Sequence, residues 1–197
     1  SAIQNSAILK YVDVFFMTTK LPPQGLLEKL FPGRNVTLKI HKNFGHQLGA
    51  SSSVMLALEG QWFAKYDWFI RVNPDVLILE DEWLIRTIHD RQVDGIFADC
   101  LRGLSDHNCS RHCTGALVNT DFFAVRPRSI GPDSFSKYRA VHNAEARATK
   151  AFNSIIRAGR DRWLPETHMR KPAHLGPGAW CRVRGGPHVP VLHAHWL

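Results

Sequence analysis

The 197-residue sequence contains no run of roughly 18 apolar residues, so no segment of it reads as a membrane-spanning helix. It has no internal repeat and no low-complexity tract. With 44% hydrophobic and 21% charged residues, that composition excludes a disordered or fibrous chain. No five basic residues follow one another, although the net charge is +8 and the pI about 9.6. A basic balance favours anionic partners such as nucleic acid, lipid headgroups or phosphorylated substrates. Zinc-finger spacing, a Gly-rich single-strand signature and a basic helix are all missing, so no nucleic-acid partner is expected. Cysteine is scarce: Cys100, Cys109, Cys113 and Cys181. Even with His107 and His112 nearby, the spacing Cys100-x8-Cys109-x3-Cys113 matches no common zinc pattern. A disulfide or free thiols in a loop are expected, with the pairing open.

The length suits one full domain with a sizeable core. Ser1 opens the chain without a Met or a basic-then-apolar leader, so a piece of a longer protein with further domains or a targeting segment is expected. The sequons Asn35-Val36-Thr37 and Asn108-Cys109-Ser110 do not settle the compartment.

Periodicity predicts strands over 11–17, 35–40, 68–72, 76–79, 95–98 and 189–193, and a short strand within 116–125. It predicts helices over 25–31, 50–65, 81–89 and 141–158, with Asp81 as a cap. A polar loop is expected over 41–49 and a Cys-rich loop over 99–115. Strands alternate with helices through the first half. That argues a mostly parallel central sheet flanked by helices on both faces, with a looser second half.

The chemistry-bearing segment is Tyr66 to Ile78, an apolar strand running into the turn Asn73-Pro74-Asp75. In open α/β sheets ligands bind at the carboxyl ends of strands. Asp75 offers a hard oxygen to a divalent cation and Asn73 a weaker carbonyl or water-mediated contact. The plain alternative is a turn, which all three residues favour. His193 and His195 alternate along the last strand and so share a face; imidazole suits Mn²⁺ better than Mg²⁺. Their alternative is a fraying terminus. Asp121, in Asn119-Thr120-Asp121-Phe122-Phe123, is a carboxylate suited to orient a sugar hydroxyl or act as a base, or else a turn carboxylate. Arg71 is either a phosphate fork or the partner of Asp67 or a helix carboxylate.

Strand–Asn-Pro-Asp–strand resembles the Asp-x-Asp element of GT-A glycosyltransferases. Three pieces, Asn43 to Ala50, Tyr66 to Ile78 and Val118 to Pro127, resemble glycosyltransferases of algae and their large DNA viruses, including the amino-terminal domain of a multidomain chlorovirus glycosyltransferase. The resemblance runs from Tyr11 to His195 and departs at Asn73, where the usual first acid is replaced. It implies a GT-A-like α/β fold in a single domain over 1–197, its donor-nucleotide half about 1–100 and its acceptor-side half about 101–197. It implies transfer of a hexosyl or deoxyhexosyl group, such as glucose or rhamnose, from a UDP-sugar to a glycan or glycoprotein acceptor, assisted by Mn²⁺ or Mg²⁺. Asp75 with His193 or His195 would hold the metal. Met17, Thr18, Thr19, Lys39 and His41 would lie against base and ribose, with Asn43 and Gln47 in a neighbouring loop. Arg71 and Asn73 would face the diphosphate, and Asp121 would act on the acceptor. Cytoplasmic and Golgi-lumenal placements both stay open. The competing reading is a non-catalytic module that holds a nucleotide sugar or glycan, for which the Asn73 departure speaks.

Overall fold

A computed structural model describes residues 7–42, 45–73, 76–78, 81–99, 117–141, 143–164 and 191–193. Asn43, Asp75, all four cysteines, the second sequon, His142, Glu166, His168 and His195 lie outside the described residues. Among the described residues five α-helices and eight strands follow one another: β1 (Val14–Thr18), α1 (Leu26–Leu30), β2 (Val36–Ile40), α2 (His46–Glu59), β3 (Phe69–Val72), β4 (Val76–Ile78), α3 (Asp81–His89), β5 (Gly95–Asp99), β6 (Val118–Val125), α4 (Ala144–Ala151), α5 (Asn153–Arg157), β7 (Asp161–Trp163) and β8 (Val191–His193).

The expected β-α-β logic holds for the first unit, where β1 and β2 pair in parallel across α1. The expectation of a mostly parallel central sheet does not hold. The four-stranded sheet runs β3-β6-β5-β7, and β6 pairs antiparallel with both β3 and β5. β3 and β5 therefore point the same way, as two strands joined through α3 should, but β6 enters between them in reverse. Within that sheet, among the described strands, only β5 and β7 pair in parallel, and β4 with β8 form a separate antiparallel pair. Periodicity reads strands one at a time and carries no information about which strand will insert between two others.

Helical cover on both faces of the sheet is borne out. On one face Phe69, Phe97, Phe123 and Val125 pack with Val54 and Leu58 of α2, Ala148 and Ala151 of α4, and Ile155 of α5. On the other, Ile96, Ala98, Phe122 and Ala124 pack with Leu84 of α3, Val76 of β4 and Ile8. Alternation over 122–125 divides these residues of β6 between the two cores.

Three of the expected helices differ in their boundaries from the sequence reading. α2 begins at His46, inside the expected polar loop, because Gly45 at φ 83° makes the entry and Gly49 simply continues the helix. It ends at Glu59, since Gln61 adopts φ 51° and no helix passes through that conformation. The single helix expected over 141–158 is two. The chain breaks at Phe152, whose buried ring sits 5.3 Å from Phe97, 5.0 Å from Phe123 and 5.4 Å from Phe135. Asp81 lies within the first turn of α3 rather than before it, and its carboxylate accepts the Ala7 N–H at 2.5 Å.

A polar staple ties the far end of the sheet. Arg126, 4.5 Å over the Trp68 ring, donates to the carbonyls of Val93, Ile88 and Asp90. Asp94 takes Arg160 at 2.5 Å and Arg126 at 3.5 Å. Burial works against the Asp94 charge. Hydrogen bonds from Arg160 and Ser129, with the charges of Arg160 and Arg126, outweigh it and hold the pKa below its ordinary value. A carboxylate depressed by folding stabilises the native state above its unfolded pKa of about 3.9, and that contribution is lost as pH falls through the folded value. Asp94→Asn, which lacks the charge at every pH, should therefore lose less thermal stability than the parent on acidification below about pH 4, a difference that melting curves measure directly.

Candidate functional site

The antiparallel β3–β6 ladder runs Phe69 against Val125 to Val72 against Phe122. One further bond, from the Asn73 N–H to the Asp121 carbonyl at 2.8 Å, carries it past the end of β3. That step sets Asn73 and Asp121 side by side, and the Asn73 amide donates to Asp121 Oδ1. Arg71 shares this sheet face, two residues back along the strand. Its fork is spent on three partners: Nη2 donates to Asn73 Oδ1 at 2.9 Å, Nη1 to Ser53 Oγ on α2 at 2.9 Å, and Nε to the Thr120 carbonyl. Thr120 in turn donates to Glu145 Oε1 on α4 at 3.0 Å, in the buried layer between sheet and helix.

Burial lowers the Arg71 pKa, and the charges of Asp121 and Glu145 pull it part of the way back. Arginine is so strong a base that the guanidinium keeps its charge despite this lowering. A fixed cation thus lies under Asn73, between two carboxylates. Arg71 is thus held by internal hydrogen bonds to Ser53, Asn73 and Thr120, with Asp121 and Glu145 acting on it through their charge. Asn73 is engaged at both ends of its side chain: its oxygen faces Arg71 and its nitrogen faces Asp121. Asn119 accepts the Asp121 N–H at 2.7 Å, while its own buried Nδ2 has no hydrogen-bond partner among the described residues. An orphaned buried donor costs stability and is rare, which sets this strand apart from the rest of the sheet.

The other candidates gather elsewhere. Met17 and Thr18 end β1, paired with Lys39 and Ile40 of β2, and the His41 N–H bonds the Thr18 carbonyl at 3.0 Å. Thr19 is exposed beyond the strand end, and Thr18 Oγ1 donates to the Lys20 carbonyl at 3.0 Å. Lys39 Nζ lies 4.6 Å over the Trp62 ring, and His41 Nδ1 lies 2.9 Å from the Lys42 carbonyl. These five residues form one cluster at the carboxyl ends of two parallel strands. An aromatic bridge links that pair to β3: Phe15 stands 5.2 Å from Phe63, which stacks 4.8 Å from Phe69. Gln47 falls in α2 rather than in a loop.

β8 returns alongside β4, with His193 paired to Val76, two residues from Pro74 in sequence. The backbone of the last strand therefore runs beside β4, the strand that follows Asn73-Pro74-Asp75 in sequence. Among the described residues, no three His, Cys, Asp or Glu side chains cluster as a metal site, and no helix is long and apolar enough to cross a membrane.

No family model matches the chain, and no curated protein matches it. The chain is similar to a solved glycosyltransferase. That structure is described as a glycosyltransferase involved in the glycosylation of the major capsid of PBCV-1. It is 10% identical, with a TM-score of 0.43 over 77% of this chain and 81% of that one.

Ser53, Thr120, Asn119 and Glu145 were not singled out from the sequence. The one available signal is Ser51-Ser52-Ser53, three polar residues in a row on a helix whose neighbours Val54 and Leu58 face the core. Two of those hydroxyls receive arginines, Arg147 at Ser51 and Arg71 at Ser53.

Proposed function

We propose that the chain is the catalytic domain of a glycosyltransferase that moves a hexosyl or deoxyhexosyl group from a UDP-sugar to a glycan acceptor with the help of a divalent cation. The observation that supports this reading is convergence. The turn after β3, the Asn-Thr-Asp segment of β6 and the last strand are distant in sequence and were each marked by their chemistry. They adjoin at the carboxyl end of one strand, the edge at which α/β sheets bind ligands.

The donor set suits a cation only in part. Asn73 Oδ1 already accepts from a guanidinium and is poorly placed to take a second positive charge, and the Asp121 carboxylate beside it is kept for the acceptor. Asp75 and a histidine of the last strand would supply the protein ligands. When bound, the ion neutralises the charge that grows on the departing diphosphate. Asp121 takes the proton of the acceptor hydroxyl as that oxygen attacks the anomeric carbon, and the nucleoside diphosphate leaves. Asn73 fixes the Asp121 carboxylate in direction. Arg71 supplies a positive background that keeps charge at this edge tolerable. The cluster of Met17, Thr18, Thr19, Lys39 and His41 serves the base and ribose with backbone groups and short polar side chains.

One observation favours the competing reading of a module that holds a nucleotide sugar without turning it over: an amide stands where the family's first acid would be, and it is locked. Nucleotide release separates the two. With Mn²⁺ and a panel including UDP-glucose and UDP-rhamnose, at least one donor should release UDP, if only by slow hydrolysis, and chelation should stop it. Asp75→Ala should remove the metal-dependent part of UDP binding. Calorimetric binding of a donor with no release from any of the panel would establish the binding module instead. Tighter binding of GDP or CDP than of UDP would overturn the uridine assignment.

A further inference from the structure

An open cavity lies beside the carboxyl-terminal end of α4. It has a volume of about 340 Å³ and is lined by Tyr138, Thr149, Lys150, Asn153 and Arg157. That is at the lower end of the usual range for small-ligand sites, about 300–1,000 Å³. Its frame is held by the core. Phe135, just before the 3-10 turn Ser136–Tyr138, packs on Phe152, the residue at which α4 gives way to α5. The break at Phe152 turns Asn153 and Arg157, one helical turn apart, toward the end of α4 that carries Thr149 and Lys150.

The charge around this cavity is local. Neither Lys150 nor Arg157 has a carboxylate partner among the described residues. Lys150 lies 5.9 Å from the Tyr138 ring and holds no anion. The neighbouring cations are neutralised: Lys137 pairs with Asp133 at 2.9 Å and Arg139 with Glu59 at 3.1 Å. A nucleic-acid track needs cations spaced along a path. Here the uncompensated charge is confined to two side chains facing one small space, beside an aromatic ring and an amide. That combination fits a single anionic group carried on a ring with hydroxyls.

The cavity is also tied to the Asp121 site. On α4, Glu145 accepts from Thr120 and Thr149 accepts the Val118 N–H at 2.9 Å. Four residues of helix, about 6 Å, separate these two contacts with the same strand. We propose that the Tyr138–Lys150–Asn153–Arg157 cavity binds an acidic sugar residue of the acceptor, its carboxylate or phosphate between Lys150 and Arg157. The acceptor role rests on the transferase reading above; recognition of the acidic sugar does not.

The test uses the full chain and calorimetry. Trigalacturonate and a phosphorylated hexose, glucose 6-phosphate, are the two anionic probes, with maltotriose as the neutral one and a short single-stranded DNA as the competitor class. At least one anionic sugar should bind, and maltotriose should bind at least tenfold more weakly. The exposed pair Lys150→Gln with Arg157→Gln should weaken the anionic sugar at least tenfold and leave UDP affinity and melting temperature unchanged. Which probe binds distinguishes carboxylate from phosphate. Unchanged sugar affinity in the double variant, equal binding of maltotriose, or tighter binding of DNA overturns the proposal. Acidic-sugar binding in a chain that binds no UDP would sustain the cavity and sink the transferase reading.

Discussion

Asp121→Asn should lower UDP release by at least about 100-fold, the usual worth of a positioned acid or base, and leave the fold and UDP affinity nearly unchanged. The substitution is informative because of what it keeps. The Asn73 amide donates to Asp121 Oδ1, and an asparagine at 121 retains a carbonyl oxygen to accept that bond. The backbone bonds from the Asn73 N–H and to the Asn119 side chain use groups that the substitution does not touch. The stability cost should stay near about 1 kcal/mol, the net worth of one hydrogen bond. What is removed is the negative charge and the capacity to take a proton. A variant with full UDP release would show that Asp121 serves only to hold Asn73 and the turn. One that loses UDP affinity as well as turnover would place Asp121 on the donor or metal side.

What the sequence made legible was mostly local. β1, β3 and β5 are apolar runs bounded by polar residues, and each lies within one to three residues of its expected position. The β1-α1-β2 unit was readable because its connection is short and its strands adjacent in sequence. The insertion of β6 between β3 and β5 was not, because it depends on a long connection and on contacts made across the sheet. The same divide runs through the site. Asp121, Arg71 and Asn73 could be picked out as polar residues on apolar strands. That they touch one another could not, since it requires the antiparallel β3–β6 register. Glu145 was invisible for a related reason: on an Ala-rich helix it reads as an ordinary solvated charge, yet it is buried against Thr120. The helix break at Phe152 follows the same rule, a tertiary aromatic contact overriding a run with good helix propensity.

Arg71→Met should destabilise the fold by about 3 kcal/mol, as removing one partner of a buried charge network does, and chemical denaturation will measure it. Methionine preserves the apolar stem and removes all three donors, so Ser53, Asn73 and the Thr120 carbonyl lose their partner. The larger loss is electrostatic: Asp121 and Glu145 both act on Arg71, and the variant removes that cation from both carboxylates. Arg71→Lys restores the charge but not the fork, and one ammonium cannot reach three acceptors set at fixed angles; it should recover less than half of the loss. The decisive comparison is with Glu145→Gln. If the network is one unit, removing the carboxylate that Arg71→Met leaves exposed to a dry environment should relieve part of the damage. The double variant should then be more stable than the sum of the two singles by at least about 1 kcal/mol. Additivity within about 0.5 kcal/mol would mean that Arg71 contributes only its own hydrogen bonds.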